Sequence, residues 1–294
     1  MGALIEVNTD GLAKLAETVG GWFGWNARAI EHKAEAEAYA TVRKVDAENA
    51  ANLARLQGEE QVESYILTRE KRKMNNVQNV VEQAQQHFVD GEQVSDEPVN
   101  QDWLNRFFNI VEDVSDAEMQ QLWARILAGE VKKTKSYSLR TLEVLRNMTK
   151  EEANLFVKAK AYVIDDSFII NRTEYMSVQE MLLLEDIGLI NSNILTKYYT
   201  LPPIPLFIIP INKKYALAVT KPITQELTVE IPVKSLTPAG VELLKLVETI
   251  TSNEVYKYIA KVLYENGCTN VIKHKIKEWN PGSNIALECE GEKL

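Results

Sequence analysis

Glu130, Val131 and Lys132 form an E-x-K triplet, with Asp113 and Asp116 a short way upstream. Clustered carboxylates beside a lysine are what a metal-dependent nuclease needs, the acids to hold a divalent cation and the lysine to steer the attacking water. Such sites display E-x-K on a strand, whereas here Glu130 follows Gly129, a residue suited to stopping a helix. The preceding run, SDAEMQQLWARILAGEV (115–131), spaces Met119, Leu122, Trp123, Ile126 and Leu127 at i, i+3, i+4, i+7 and i+8. Ser115 and Glu118 open it as an S-x-x-E capping box. The acids therefore read as cap and helix-dipole partners, and Trp123 as core.

Other routes to chemistry find less support. His32, His87 and His274 are far apart, and Cys268 and Cys289 form no C-x-x-C pair, so no zinc set is expected. Neither G-x-x-x-x-G-K-[ST] nor G-x-G-x-x-G occurs, which disfavours nucleotide binding by those loops. Spacing cannot judge a dispersed Ser or Cys triad, but no elbow motif supports one. The expectation is no catalytic residue, no metal and no cofactor, with the balance away from an enzyme. Two basic clusters are candidates for phosphate contact. Lys132, Lys133, Lys135 and Arg140 follow the Trp123 helix, while Lys273, Lys275 and Lys277 alternate on one side of a predicted strand with His274 opposite. A net charge of −9 works against both.

The elements that would position these groups are uneven in character. A length of 294 residues, 45% apolar, favours two domains or one with a long appendage. Residues 1–25 hold an amphipathic helix, with Leu12, Leu15, Ala16, Val19 and Phe23 at helical spacing. That segment ends in an aromatic knot of Trp22, Phe23 and Trp25, a candidate for docking on a protein or on a membrane surface. Residues 26–89 contain no proline and one glycine, and between Arg28 and Lys73 nine basic residues balance nine acidic ones. This predicts a long Ala/Glu-rich helix whose thin stripe (Ile30, Ala34, Ala38, Val42, Val45, Leu53) cannot build a core alone. Pairing with copies of itself, coiled-coil fashion, is the expected outcome.

A polar linker (90–101) precedes an α-helical bundle (102–165), where Ser138 caps one helix and Thr149 and Glu152 form a second capping box. Residues 166–280 begin with a third box, Ser177 and Glu180, and stop that helix at Gly188. The strand candidates LFIIPI, YALAV and LTVEIPV follow among prolines 202, 203, 205, 210, 222 and 232. A helix capped by Thr237 with Pro238 at its first position comes next. This order reads as a winged-helix-like α+β domain with an enlarged sheet, and residues 281–294 as a loose acidic tail. The fold expected is mainly α. The sparse cysteines, the lack of a signal-like start and the lack of a long apolar span predict a cytoplasmic protein, with peripheral membrane contact through the aromatic segment as a further candidate.

The GLAKL start, the AEAEA helix and the stretches VSDAEMQQLWARILAGEV, SYSLRTLEVLRNMTKEEANLF, LEDIGLI and LTPAG resemble an uncharacterised bacterial family with an SDxEMQxLWARILAGE core. That core is similar to the abortive-infection Abi-alpha proteins. The resemblance implies a bacterial cytosolic protein linked to defence against phage, and it brings no catalytic residues. The expectation is a non-enzymatic homo-oligomer. Its partners would be its own copies, with a phage or host trigger protein, nucleic acid or a membrane surface as alternatives.

Overall fold

A computed structural model describes residues 10–21, 51–89, 93–222, 226–247, 250–279 and 285–294, with the backbone alone for 51–61, 63 and 279. The chain divides into two units, Met1–Leu142 and Glu143–Leu294.

In the first unit, α1 covers residues 10–21 and α2 covers Ala51–Gln85. They are followed by α3 (Gln101–Val111), α4 (Ala117–Lys132) and the start of α5 (Leu139–Arg146). Asn100 caps α3, its side chain accepting from the Trp103 amide at 3.1 Å. The cap of α4 is Asp116, not the expected Ser115: its Oδ1 accepts from the amides of Glu118 and Met119, each at 3.0 Å. Ser115 accepts instead from Asn76 Nδ2 at 3.2 Å. Gly129 likewise does not stop α4, which runs on to Lys132. A Cβ at Gly129 would stand 2.8 Å from the Tyr137 ring, so the glycine serves a close approach.

The spacing of Trp123, Ile126 and Leu127 does bury all three completely. The Phe107 ring stacks on Trp103 at 5.1 Å and meets Trp123 edge-on at 5.5 Å. Trp103 Nε1 donates to Tyr137 O at 2.8 Å, which satisfies the indole inside this core. Between α2 and α4 lies a polar seam. Buried Gln120 donates to Asn76 Oδ1 (3.3 Å) and Val114 O (2.9 Å), and Asn76 donates to Glu112 O (2.9 Å). Satisfied amides of this kind fix one register of helix against helix.

The second unit overturns the mainly α expectation. Strand residues make up about 25% of the structure and form two four-stranded antiparallel sheets, so the fold is α+β. After α6 (Lys150–Lys160) come β1 (Val163–Ile164), β2 (Phe168–Ile170), α7 (Val178–Asp186) and β3 (Ile190–Leu201). The chain continues through β4 (Leu206–Pro210), β5 (Tyr215–Thr220), β6 (Leu227–Leu236) and α8 (Pro238–Leu244). It closes with α9 (Asn253–Glu265), β7 (Asn270–Trp279) and β8 (Ile285–Lys293). The sheet orders are β1-β2-β6-β3 and β4-β5-β7-β8. The winged-helix-like unit expected from the sequence carries one enlarged sheet, and the described residues form two sheets instead. The terminal stretch expected to be loose is an edge strand, β8 pairing with β7 from Trp279↔Ile285 to Ile272↔Lys293.

Pro232 sits inside β6 although it donates no hydrogen bond. Its carbonyl accepts from Asn171 N at 2.9 Å, just beyond the last β2–β6 pair, so the missing N–H faces the end of β2. Both sheets contribute to one core, in which Leu217, Val219, Ile231 and Val233 surround Val255, Tyr256, Ile259 and Leu263 of α9. The capping boxes at Thr149 and Ser177 form as the sequence predicts, with Glu152 and Glu180 reaching back at 2.7 and 2.8 Å.

Two of the quoted motifs, LEDIGLI and LTPAG, meet in this unit. Thr237 N donates to Leu189 O at 2.9 Å and Thr237 Oγ1 to Gly188 O at 2.6 Å. A Cβ on Gly240 would fall 2.2 Å from Leu189 O, a backbone atom that cannot rotate away. Gly240→Ala is therefore expected to destabilise this unit by about 2 kcal/mol through overpacking. A fall of about 5 °C in its melting midpoint, followed by circular dichroism, would show it. An unchanged midpoint would mean that the α8 contact yields freely.

Candidate functional site

The E-x-K triplet dissolves as a catalytic set once its surroundings are seen. Asp116 caps the start of α4 and Glu130 sits near its end, about 20 Å away along a helix rising 1.5 Å per residue. No single cation spans that distance. Glu130 is 2% exposed, and its carboxylate accepts from the backbone amides of Lys135 (2.6 Å) and Tyr137 (3.0 Å). It clamps a loop in which Lys135 holds the left-handed conformation, φ +65°. Lys132 lies over the Phe88 ring at 5.5 Å. Among the described residues, no group of three His, Cys, Asp or Glu gathers in a metal-binding arrangement.

The two basic clusters fall in different units. In the first, Lys132 is half-buried and Lys133, Lys135 and Arg140 are exposed. Lys135 pairs with Glu97 at 2.6 Å, an ion pair that holds the Glu97 carboxyl below its ordinary pKa and the Lys135 ammonium above its own. In the second, Lys273 Nζ donates to Asn253 Oδ1 at 2.6 Å and lies 4.5 Å from the Tyr256 ring centre, with Glu292 3.6 Å away. Lys275 pairs with Glu288 at 3.1 Å. His274 Nδ1 is 3.0 Å from Glu288 O. Lys277 is exposed. Acids on β8, read from the sequence as a loose tail, thus offset much of the charge on β7.

Of the residues expected to mediate assembly, Ile30, Ala34, Ala38, Val42 and Val45 lie outside the described residues. Leu53 falls in the backbone-only part of α2. Trp22, Phe23 and Trp25, the docking candidates, also lie outside the described residues. What the structure adds is farther along. Val77, Val80 and Ala84 of α2 are fully buried or nearly so. Counting back, Lys73, Ile66 and Val62 continue the same stripe, each step being three, four or seven residues. Yet Val62 is 57% exposed, Ile66 is 52% exposed, and neighbouring Tyr65 is 69% exposed. The face that buries the C-terminal third of α2 goes on without cover among the described residues. Sequence reading missed these positions because charges dominate the stretch around them. The signal was the eleven-residue interval from Ile66 to Val77, three full turns of helix.

Fold and surroundings define an α+β chain whose helical N-terminal unit presents an apolar seam, with the sequence-predicted acids occupied in capping and loop support. A family model described as "Protein of unknown function (DUF2806)" matches residues 60–167, less than half of the chain. That match begins within the exposed stretch of α2 and runs through α3, α4, α5, α6 and β1. No curated protein and no solved structure matches the chain. Among the described residues, no helix is long and apolar enough to cross a membrane.

Proposed function

We infer that this chain is a non-enzymatic assembly protein that joins copies of itself through the N-terminal stretch of α2. The observation that carries the reading is the stripe that is buried at Val77, Val80 and Ala84 and uncovered at Val62 and Ile66. An apolar seam continued beyond its intramolecular partner gains free energy from a second helix, at about 25 cal/mol per Å² removed from water. A helix of 35 residues, about 52 Å long, has the reach for such pairing. The biological setting we assign is bacterial defence against phage. Its support is the resemblance of the SDAEMQQLWARILAGE core to abortive-infection Abi-alpha proteins.

Mass photometry of the full chain tests the assembly. Wild type should appear at a multiple of 33.3 kDa, and Val62→Glu/Ile66→Glu should fall to the single-chain mass with its circular dichroism retained. Both sites are exposed in the single chain, so the charges leave its fold intact. A wild type already at single-chain mass, or a variant whose mass does not change, overturns the reading. Phage plating on cells expressing either form tests the setting, the expectation being protection by wild type that the double variant loses.

A further inference from the structure

A concave site in the second unit has a composition that the assembly reading does not use. Its apolar wall is made by Val241 and Leu244 of α8 with Val247 and Ile250 beyond it, and Ile250 is 63% exposed. Lys160, Lys213, Lys214 and Lys245 also line it, and among the described lining residues Asp166 is the one carboxylate. The cleft, open on one side, has a volume of about 630 Å³, within the span usual for small-molecule sites. We propose that this cleft binds a small amphipathic anion, an apolar body carrying one phosphate or carboxylate group.

The charge argument begins with what each lysine already does. Lys160 donates to Leu244 O at 3.0 Å and to Val247 O, and so serves the C-terminal carbonyls of α8. Lys213 lies 3.4 Å from Asp166. Among the described residues, neither Lys214 nor Lys245 has an ion-pair partner. Lys213 and Lys214 on the turn and Lys245 after α8 line the same cleft, where like charges repel one another, and an anion between them removes that cost.

The lysines are also held in place. Asn212, at the start of the β4–β5 turn, accepts from the Lys214 and Tyr215 amides through Oδ1, both at 2.8 Å. Its Nδ2 donates to Thr251 Oγ1 at 2.9 Å and to Tyr256 OH at 3.0 Å, tying the turn to the segment before α9 and to α9 itself. One side chain thus fixes the turn that presents Lys213 and Lys214. Preorganisation of this kind lowers the ordering cost of binding. The apolar wall argues against a nucleic-acid backbone, which tracks an open charged groove. It suits a ligand with a greasy end.

The probe is 1-anilinonaphthalene-8-sulfonate, an aromatic body with one anionic group, titrated into the full chain and followed by fluorescence. Saturable binding is expected. Lys213→Glu/Lys214→Glu should weaken it by about tenfold or more, since two lining charges change sign at exposed positions. Val241→Trp, which fills the wall, should abolish it, with the circular dichroism melt of each variant matching wild type. Competition then identifies the head group: displacement by adenosine monophosphate points to a phosphate ligand, and displacement by decanoate to a carboxylate. Equal dye affinity in wild type and both variants, or displacement by neither competitor, overturns the proposal.

Discussion

Trp123→Ala lowers the unfolding free energy of the first unit by about 4 kcal/mol, the expected cost of removing a fully buried indole and leaving a cavity that its neighbours cannot fill. The neighbours are rigid. Phe107 packs edge-on against Trp123 and stacks with the Trp103 ring, whose own indole is tied to Tyr137 O. Helix α4 cannot slide into the gap either, because the Gln120 and Asn76 amides fix its register against α2. A loss of this size is a large part of the 5–15 kcal/mol typical of a domain. Urea denaturation followed at 222 nm should show an early transition for the first unit, while the second unit's transition keeps its midpoint. Trp123→Phe, which retains much of the ring, should cost less than half as much. A shift under about 1 kcal/mol for the alanine variant would show that the indole does not anchor this core.

Local features were legible in the sequence, and the reason is physical. A cap is decided by residues three apart, so Thr149 with Glu152 and Ser177 with Glu180 form as read, and Thr237, with Pro238 behind it, accepts from the Gly240 amide. At α4 the capping box pointed to Ser115, and Asp116 beside it, equally able to accept from an amide, takes the role. The choice between them involves Asn76, a residue far back in the chain that donates to Ser115. Gly129 looked like a stop because glycine ends helices, but its purpose is room for Tyr137, which only folding brings near. The buried face of α4 needed no such partner information, since its period alone marks it.

The strand content was harder to see, and each miss has its cause. The hairpin of β1 and β2 is written in VIDDSFII, two short apolar runs about a turn in which Asp165 and Asp166 take φ +52° and +51°. Aspartate tolerates that conformation, yet it announces a turn less clearly than glycine. β8 lies at a sheet edge with nearly every residue exposed, so it lacks the alternating burial that marks a strand. Pro232 looked like a breaker, and it is tolerated because its missing donor faces the end of β2. As for the candidate sites, Lys213 and Lys214 stand together in the sequence, but Lys160 and Lys245 reach the same cleft from α6 and from the end of α8. No spacing rule joins them. The uncovered part of the α2 stripe was readable from period alone, had Val62 and Ile66 been aligned with Val77.

Glu130 separates a catalytic from a structural role by stability. Its carboxylate takes two backbone amides inside the protein, from Lys135 at 2.6 Å and from Tyr137 at 3.0 Å. Glu130→Ala leaves both donors without that acceptor, and each unsatisfied buried group costs about 1–3 kcal/mol. The Tyr137 amide is buried and the Lys135 amide only partly so, which sets the expected loss near 3 kcal/mol. Glu130→Gln keeps one acceptor oxygen but turns an NH₂ group toward the other amide, so it should recover no more than about half of that loss. A metal-dependent nuclease would behave differently, since a glutamine isostere at a metal ligand removes activity while stability holds or rises. Lys135→Gly adds an independent check: it relieves a left-handed side-chain-bearing residue, φ +65°, and should stabilise the loop by about 1 kcal/mol in the wild-type background. If the clamp sets that loop conformation, the glycine should also soften the penalty of Glu130→Ala, and a double-mutant cycle by urea denaturation would measure the coupling. Strict additivity of the two changes would mean that the loop holds its shape without Glu130.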